Sequence, residues 1–229
     1  VLERITVSRI LFVTLLLLRA ACSSSHDDHG RLTMADVWAL ALRSGEAQKP
    51  FNPRKDITRA MIDVSKTPLI LIETLESDYI ATIQKAPIPT LADVWITTKG
   101  RSITTQNGLL TATRGFNHDM MGANTKAASA ALKKAPQLNR PIKYTRSYKY
   151  LVADNKDEII NLHCKLSFFG HETIILFQKR YKTRKYIEHC LNDYLEFENI
   201  FWLQRNNTIR KSHQWHSVNI GMILIERLI

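Results

Sequence analysis

The sequence predicts a mainly β protein, an antiparallel meander with one or two short helices near its N-terminus. Three observations predict it. Short segments rich in β-branched and aromatic residues follow one another through most of the chain after Pro68. Glycine and asparagine turn residues separate many of them at short intervals. No internal repeat is found, and no strand–helix alternation of the kind that builds a parallel sheet.

The chain begins with a different kind of pattern. A nine-residue apolar run, Ile10 to Leu18, follows a short head carrying Arg4 and Arg9 and precedes Arg19-Ala20-Ala21-Cys22. A positive head, an apolar core of 7–15 residues and small residues at a cut site are the layout of a secretory signal. The run is too short to span a bilayer, which takes about 20 apolar residues. A cysteine directly after two alanines resembles a bacterial lipoprotein signal, in which Cys22 is lipidated and becomes the new N-terminus. Arg19 stands where such signals usually carry an apolar residue, so plain secretion, or a later start near Met34, are the alternatives. The expected organisation is a signal peptide over residues 1–21, a lipidated cysteine and flexible tether over 22–33, and a single β-rich domain over 34–229. The tether is polar and opens on Ser23-Ser24-Ser25. Its His26, Asp27, Asp28 and His29 have ligand chemistry but nothing to fix a geometry, and read as solvated linker.

Met34 to Arg43 has helical spacing at Val37, Leu40 and Ala41, with Thr33 placed to cap it and Gly45 to end it. Ile57 to Val64 predicts a second short helix, stopped before Pro68. Strands are expected at Leu69–Leu75, Asp78–Ile83, Ala92–Thr97 and Ser102–Thr105, with Gly100, Gly108 and Gly115 at the turns. Residues 117–139 read as a loop with one helical stretch, Lys126 to Lys134. The remaining strands are expected at Ile142–Val152, Glu158–Phe169, Glu172–Arg180, Lys185–Leu191, Glu196–Gln204, Thr208–Gln214 and Gly221–Leu228, with turns at Asp154-Asn155, Gly170 and Asn206-Asn207. Short links make sequence neighbours pair antiparallel.

The 229 residues carry a net charge of +11, which becomes +9 without residues 1–21, since these hold three arginines and one glutamate. A basic balance fits nucleic acid, anionic head groups or an acidic polymer. No helix-turn-helix, zinc finger or RNA-binding signature is found, so nucleic acid is not expected as a partner. The densest run of charge is Gln178-Lys179-Arg180-Tyr181-Lys182-Thr183-Arg184-Lys185. It reads as a solvated face or turn, or else as a contact for an acidic polysaccharide or a membrane surface. With Cys22 on a lipid, Cys164 and Cys190 are the remaining pair. An oxidising compartment favours a bridge between them, and two buried free thiols are the alternative. No cysteine has a second one two to four residues away, so no metal site is expected.

No nucleophile elbow, phosphate-binding glycine loop or H-E-x-x-H motif is found, and no cofactor is expected. His213 and His216, three apart on a strand, face opposite sides and cannot share a metal; they read as polar residues at a strand end.

Two segments resemble the GfcB/YjbF family, outer-membrane lipoproteins linked to group 4 capsule and exopolysaccharide formation. The first runs Trp95-Ile96-Thr97-Thr98-Lys99-Gly100 through Asn107-Gly108-Leu109-Leu110-Thr111 to Gly115, like the family's tryptophan strand, Gly turn and threonine–x–Gly stretch. The second is Phe197-Glu198-Asn199-Ile200-Phe201-Trp202 followed by Ser212-His213-Gln214-Trp215, like an Asn–x–aromatic–Trp strand and a Ser–x–Gln–Trp strand. Asn206-Asn207 stands where the family tends to use glycine, and asparagine tolerates the same left-handed turn. Cys164 and Cys190 fall where members carry a pair, and the Ala-Ala-Cys start matches a lipoprotein.

The resemblance implies a curled meander or half-barrel and a role in surface polysaccharide assembly or export, and brings no catalytic residues. The leading expectation is therefore a non-enzymatic lipoprotein of the outer membrane, facing the periplasm. It would be held by its lipid and act with other polysaccharide-secretion proteins on an acidic glycan. Trp95, Trp202 and Trp215 are candidate sugar platforms, with core anchoring as the plainer role. The alternative is a periplasmic module holding a glycan or acyl chain on the inner face of the curved sheet. A polysaccharide-cleaving enzyme would need two acidic residues about 5–10 Å apart in a cleft, and no such pair stands out.

Overall fold

A computed structural model of the chain describes residues 51–75, 79–116, 118–138, 140–152 and 156–229. The chain divides into two units, Val1–Gln48 and Lys49–Ile229, and everything below concerns the second. The expected signal segment, Cys22, the expected tether and the expected helix Met34–Arg43 lie outside the described residues.

Two short helices come first. Asn52 caps Pro53–Asp56, accepting from the Arg54 amide, and Thr58 caps Arg59–Asp63, accepting from the Met61 amide. The expectation of one helix over Ile57–Val64 narrows to that second turn. Pro68 then forces extended backbone and the strands begin.

Twelve strands follow: β1 Leu69–Thr74, β2 Ile80–Lys85, β3 Asp93–Ile96, β4 Ser102–Gln106, β5 Leu109–Arg114, β6 Met120–Asn124, β7 Ile142–Val152, β8 Lys156–Leu176, β9 Lys179–Leu191, β10 Glu196–Leu203, β11 Ile209–Ser217 and β12 Gly221–Arg227. They form one antiparallel sheet in the order β5-β4-β3-β2-β1-β12-β11-β10-β9-β8-β7-β6. Every neighbour in space is a neighbour in sequence, except that β1 pairs with β12, placing Ile72 opposite Ile225. The two edges, β5 and β6, are themselves consecutive. The meander is thus a nearly closed barrel, with a seam between β5 and β6 that carries no ladder. Near-closure protects most of the edge hydrogen-bonding groups a flat sheet would expose.

The interior is filled by side chains from opposite walls. Ile70, Ile72, Ile83, Trp95 and Ile103 from one side pack with Tyr148, Leu162, Phe197, Ile223 and Ile225 from the other. The helix Lys126–Lys134, where the sequence placed it, buries Ala128, Ala131 and Leu132 against the inward residues Leu166, Tyr186 and Phe201. It seals that end of the inner face and turns its lysines outward. The open, aromatic-lined inner face that a ligand-holding curved sheet needs is absent among the described residues.

Three local expectations are corrected. Gly170 is not a turn. β8 runs through it to Leu176, with a bulge between Phe168 and Gly170 that uses a φ of 152°, a region essentially restricted to glycine. The separate strands expected at Glu158–Phe169 and Glu172–Arg180 are therefore one long strand plus a reversal. The reversal is at Phe177–Gln178, with φ of 47° and 67°. Neither residue signals a turn, and the cost of two left-handed residues is offset by packing of Phe177 against Ile57, Ile62 and Leu69. Residues 117–139 are not all loop and helix, because Met120–Asn124 is the edge strand β6. Its Gly122 hides it from propensity, and pairing with β7 imposes it. The bulge in β8 bends the far half of the β8–β9 hairpin onto the outer face of β10, where Ile174, Leu176 and Tyr181 cover Trp202.

Candidate functional site

The strand alternation builds a charged cluster inside the barrel. Even-numbered residues of β7 and β9 point inward, so Tyr144, Arg146 and Tyr148 meet Tyr186, Glu188 and Cys190. The Glu188 carboxylate is fully buried. It accepts from the Tyr144 hydroxyl, from Arg146 Nη1 at 2.7 Å and from the Asn199 amide. Asn199 Oδ1 in turn accepts from the Trp215 backbone amide at 2.6 Å, which ties β11 to the cluster. The Arg146 guanidinium also lies over the Tyr148 ring, 5.0 Å from its centroid. Burial works against the charge on Arg146, but Glu188 beside it more than offsets this and raises its pKa. Burial pushes the Tyr148 hydroxyl up to about 12. The two charges are paired and sealed from water, as a buried ion pair requires, while Arg146 Nε and the Tyr148 hydroxyl have no hydrogen-bond partner among the described residues.

Cys164 and Cys190 stand directly opposite on β8 and β9 and are joined, S–S 2.01 Å. Their sulfurs lie close to the Glu188 carboxylate. Bonded sulfurs hold no thiolate for a metal, so this trio is not a metal centre.

A second network closes the seam. His216 is fully buried on β11 and its Nε2 lies 2.8 Å from Thr113 Oγ1 of β5. Thr113 Oγ1 also lies 3.0 Å from Asp119 Oδ1 and accepts from the Met120 amide of β6. The hydroxyl has one proton, and only one assignment leaves no pair of acceptors facing each other. Ser217 Oγ donates to His216 Nδ1, His216 Nε2 donates to Thr113, and Thr113 donates to Asp119. The carboxylate also takes the Gly115 and Phe116 amides. In this direction the histidine draws no proton from the threonine, so the group fastens β5, β6 and β11 and activates nothing. Burial holds the His216 pKa down at about 4, and the ring is neutral. His213 faces the other side, as expected, with its ring 5.3 Å from that of Trp202. Burial, aided by Lys211 and Lys185, lowers its pKa to about 4 as well. The two histidines are thus not loose polar residues at a strand end.

The expected sugar platforms are mostly core. Trp95 is 2% exposed and its Nε1 donates to Thr105 at 3.0 Å. Trp202 is 5% exposed, covered by the bent hairpin, with Nε1 donating to Glu172 at 3.0 Å. Neither offers a face to a sugar. Trp215 is partly buried and stacks on Phe197 with centroids 4.9 Å apart.

Openings lie at the surface. One groove of about 410 Å³ runs along the far half of the β8–β9 hairpin, lined by His171, Thr173, Lys182, Thr183, Arg184 and Arg205 among others. Another, of about 380 Å³, is lined by Asn107, Ser129, Lys133, Asn206, Asn207 and Arg227 among others. The basic run 178–185 resolves into a turn and a strand in which Tyr181 and Thr183 are buried and Arg180 and Lys182 exposed.

Residues 31–228 match the model of the family described as group 4 capsule polysaccharide lipoprotein gfcB, YjbF. The chain belongs to this YjbF family. The crystal structure of the hypothetical lipoprotein YmcC from Escherichia coli (K12) is similar to it, with a TM-score of 0.66 over 88% of this chain and 98% of that one. At 18% identity that likeness concerns the fold alone. A search of the curated proteins finds no match. The YjbF family is one of capsule polysaccharide lipoproteins, and the match begins at residue 31, after Cys22. Among the described residues no helix is long and apolar enough to cross a membrane.

The buried cluster of this YjbF member was not foreseen. Its signal was parity: in Lys185–Leu191, Glu188 falls in phase with Tyr186 and Cys190, the inward set. A carboxylate in phase with the core asks for a partner, and Arg146 in phase with Tyr144 and Tyr148 supplies it.

Proposed function

We propose that this protein is a non-catalytic envelope lipoprotein that supports assembly or export of an acidic capsule polysaccharide. It is anchored through Cys22 in the outer membrane and faces the periplasm. The observation that carries the reading is the family match over residues 31–228, in a family of capsule polysaccharide lipoproteins. Anchoring is supported by the run Ile10–Leu18 ahead of Ala20-Ala21-Cys22, and the outer membrane by Ser23. An aspartate after the cysteine is the residue that retains such proteins at the inner membrane in enteric bacteria.

The absence of catalysis is supported by how the polar groups are used. Glu188 is beyond the reach of solvent and already accepts from three side chains. Asp119 is spent on the seam. A charge of +9 without residues 1–21 suits weak, salt-sensitive contact with an acidic glycan.

Mass spectrometry of the mature N-terminus tests the anchor. A diacylglyceryl-modified Cys22 is expected, and an unmodified Cys22 or an intact Val1 contradicts it. Incubation of the purified protein with the host's capsule polysaccharide tests the rest. The chain length of the glycan should not change, and its shortening would overturn the reading.

A further inference from the structure

We propose that the groove along the far half of the β8–β9 hairpin, between Lys182, Arg184 and Arg205, binds the carboxylates of an acidic polysaccharide; this rests on the capsule role proposed above. The register sets Thr173 opposite Lys182 and His171 opposite Arg184, so these four side chains share one face of the hairpin. Ile175 opposite Arg180 extends the same face. Arg180, Lys182 and Arg184 alternate along one strand and so stand roughly 7 Å apart in a row. A row of charge fits a polymer with repeated anionic groups better than a single small anion.

Positive charge outweighs negative in the groove, where Lys182, Arg184 and Arg205 face one carboxylate, Glu172. Lys182 and Arg205 make no ion pair among the described residues, and both are exposed. Arg184 is fixed, but by neutral acceptors: its Nη2 donates to the Gln204 carbonyl at 3.2 Å and to Asn207 Oδ1 at 2.8 Å. Its positive charge is therefore both positioned and unspent. Glu172, which also lines the groove, has its carboxylate committed to Trp202 Nε1 at 3.0 Å and to Lys185 Nζ at 3.7 Å. Thr173 adds an exposed hydroxyl, and Phe168, half exposed and 5.3 Å from the His171 ring, adds an apolar face suited to a sugar ring.

The same cations would attract an anionic membrane, but the shape argues for the glycan. A hairpin that inserts into head groups needs a free tip. Here the tip residue Phe177 packs against the cluster of Ile57, Ile62 and Leu69. What is left open is a concave groove beside the tip.

The test uses the purified full chain with polygalacturonate as the probe, neutral dextran as the uncharged control, and vesicles of phosphatidylethanolamine and phosphatidylglycerol as the competing surface. Polygalacturonate should bind at low ionic strength and lose affinity as salt rises, while dextran and vesicles should not bind. The pair Lys182→Gln with Arg205→Gln should weaken polygalacturonate binding roughly three- to tenfold, as expected for two exposed charges. The pair Lys143→Gln with Lys156→Gln removes the same net charge from exposed positions elsewhere and should leave affinity nearly unchanged. Equal loss from both pairs would overturn the groove in favour of net charge alone. Binding to vesicles but not to polygalacturonate would overturn the glycan. In either event the capsule role stands or falls separately, on polysaccharide output from cells lacking the gene.

Discussion

The barrel interior and the bent hairpin use the same side chains to opposite ends. Inside, Arg146 meets Glu188 with both groups essentially without solvent, at 1% and 0% exposure. On the hairpin, Arg184 is held by two neutral acceptors and Lys182 and Arg205 by no carboxylate among the described residues. The difference follows from the environment. A charge taken out of water must be paired, whereas one left in water can remain free for a partner. Arg146 is therefore structural and Arg184 available, each according to its surroundings, and the comparison can be broken or sharpened at several points.

The largest effect is expected inside. Glu188→Ala should destabilise the protein by about 3–5 kcal/mol, because Arg146 is left as an unpaired buried charge. Denaturant unfolding checks it, and a midpoint near that of wild type would mean the pair is wet. Replacing Cys164 and Cys190 by alanine opens a closure of 26 residues and should cost about 3.5 kcal/mol in the chain-entropy model. The same unfolding assay reads this out, against the wild type under non-reducing conditions.

His216 gives a pH test of the seam. Its folded pKa of about 4 lies below the ordinary 6.5, chiefly because of burial, with Asp119 opposing the shift and His118 adding to it. Above pH 6.5 the ring is neutral in both states, so it contributes no pH dependence there. As pH falls from 6.5 to 4, the unfolded chain takes up a proton that the folded chain refuses. Stability should then drop by up to roughly 3 kcal/mol. His216→Asn should flatten that part of the stability curve measured by urea unfolding across pH, and an unchanged slope would remove His216 as the source. The smallest effect is expected on the hairpin. Lys182→Gln with Arg205→Gln should shift stability by less than about 0.5 kcal/mol, leaving any loss of binding free of a folding explanation.

Much of the architecture was readable because local and global signals agreed. The inward tryptophan of β3 and the Asn107-Gly108 hairpin combine propensity with a turn residue where the fold needs one, and the Ile142–Val152 strand follows its propensity. What escaped the sequence was decided by distant contacts. The Phe177-Gln178 reversal looks like strand, and is held by packing against a segment more than a hundred residues earlier. Gly170 looks like a turn, and is a bulge because the pairing with β9 continues past it. Trp202 points outward by parity, and only the bend at that bulge buries it. At the candidate sites the cysteine pair was legible from its count and from the oxidising compartment that the N-terminal signal pattern implies. The Glu188 cluster was not, because its members come from β7, β9 and β10 and meet only once the barrel curls.

The most direct measurement of the central claim is extracellular polysaccharide from a strain lacking this gene, compared with the same strain carrying the wild-type copy. The account predicts that loss of the gene lowers polysaccharide output while growth continues, and that the wild-type copy restores it. Polysaccharide output unchanged by the deletion would contradict it.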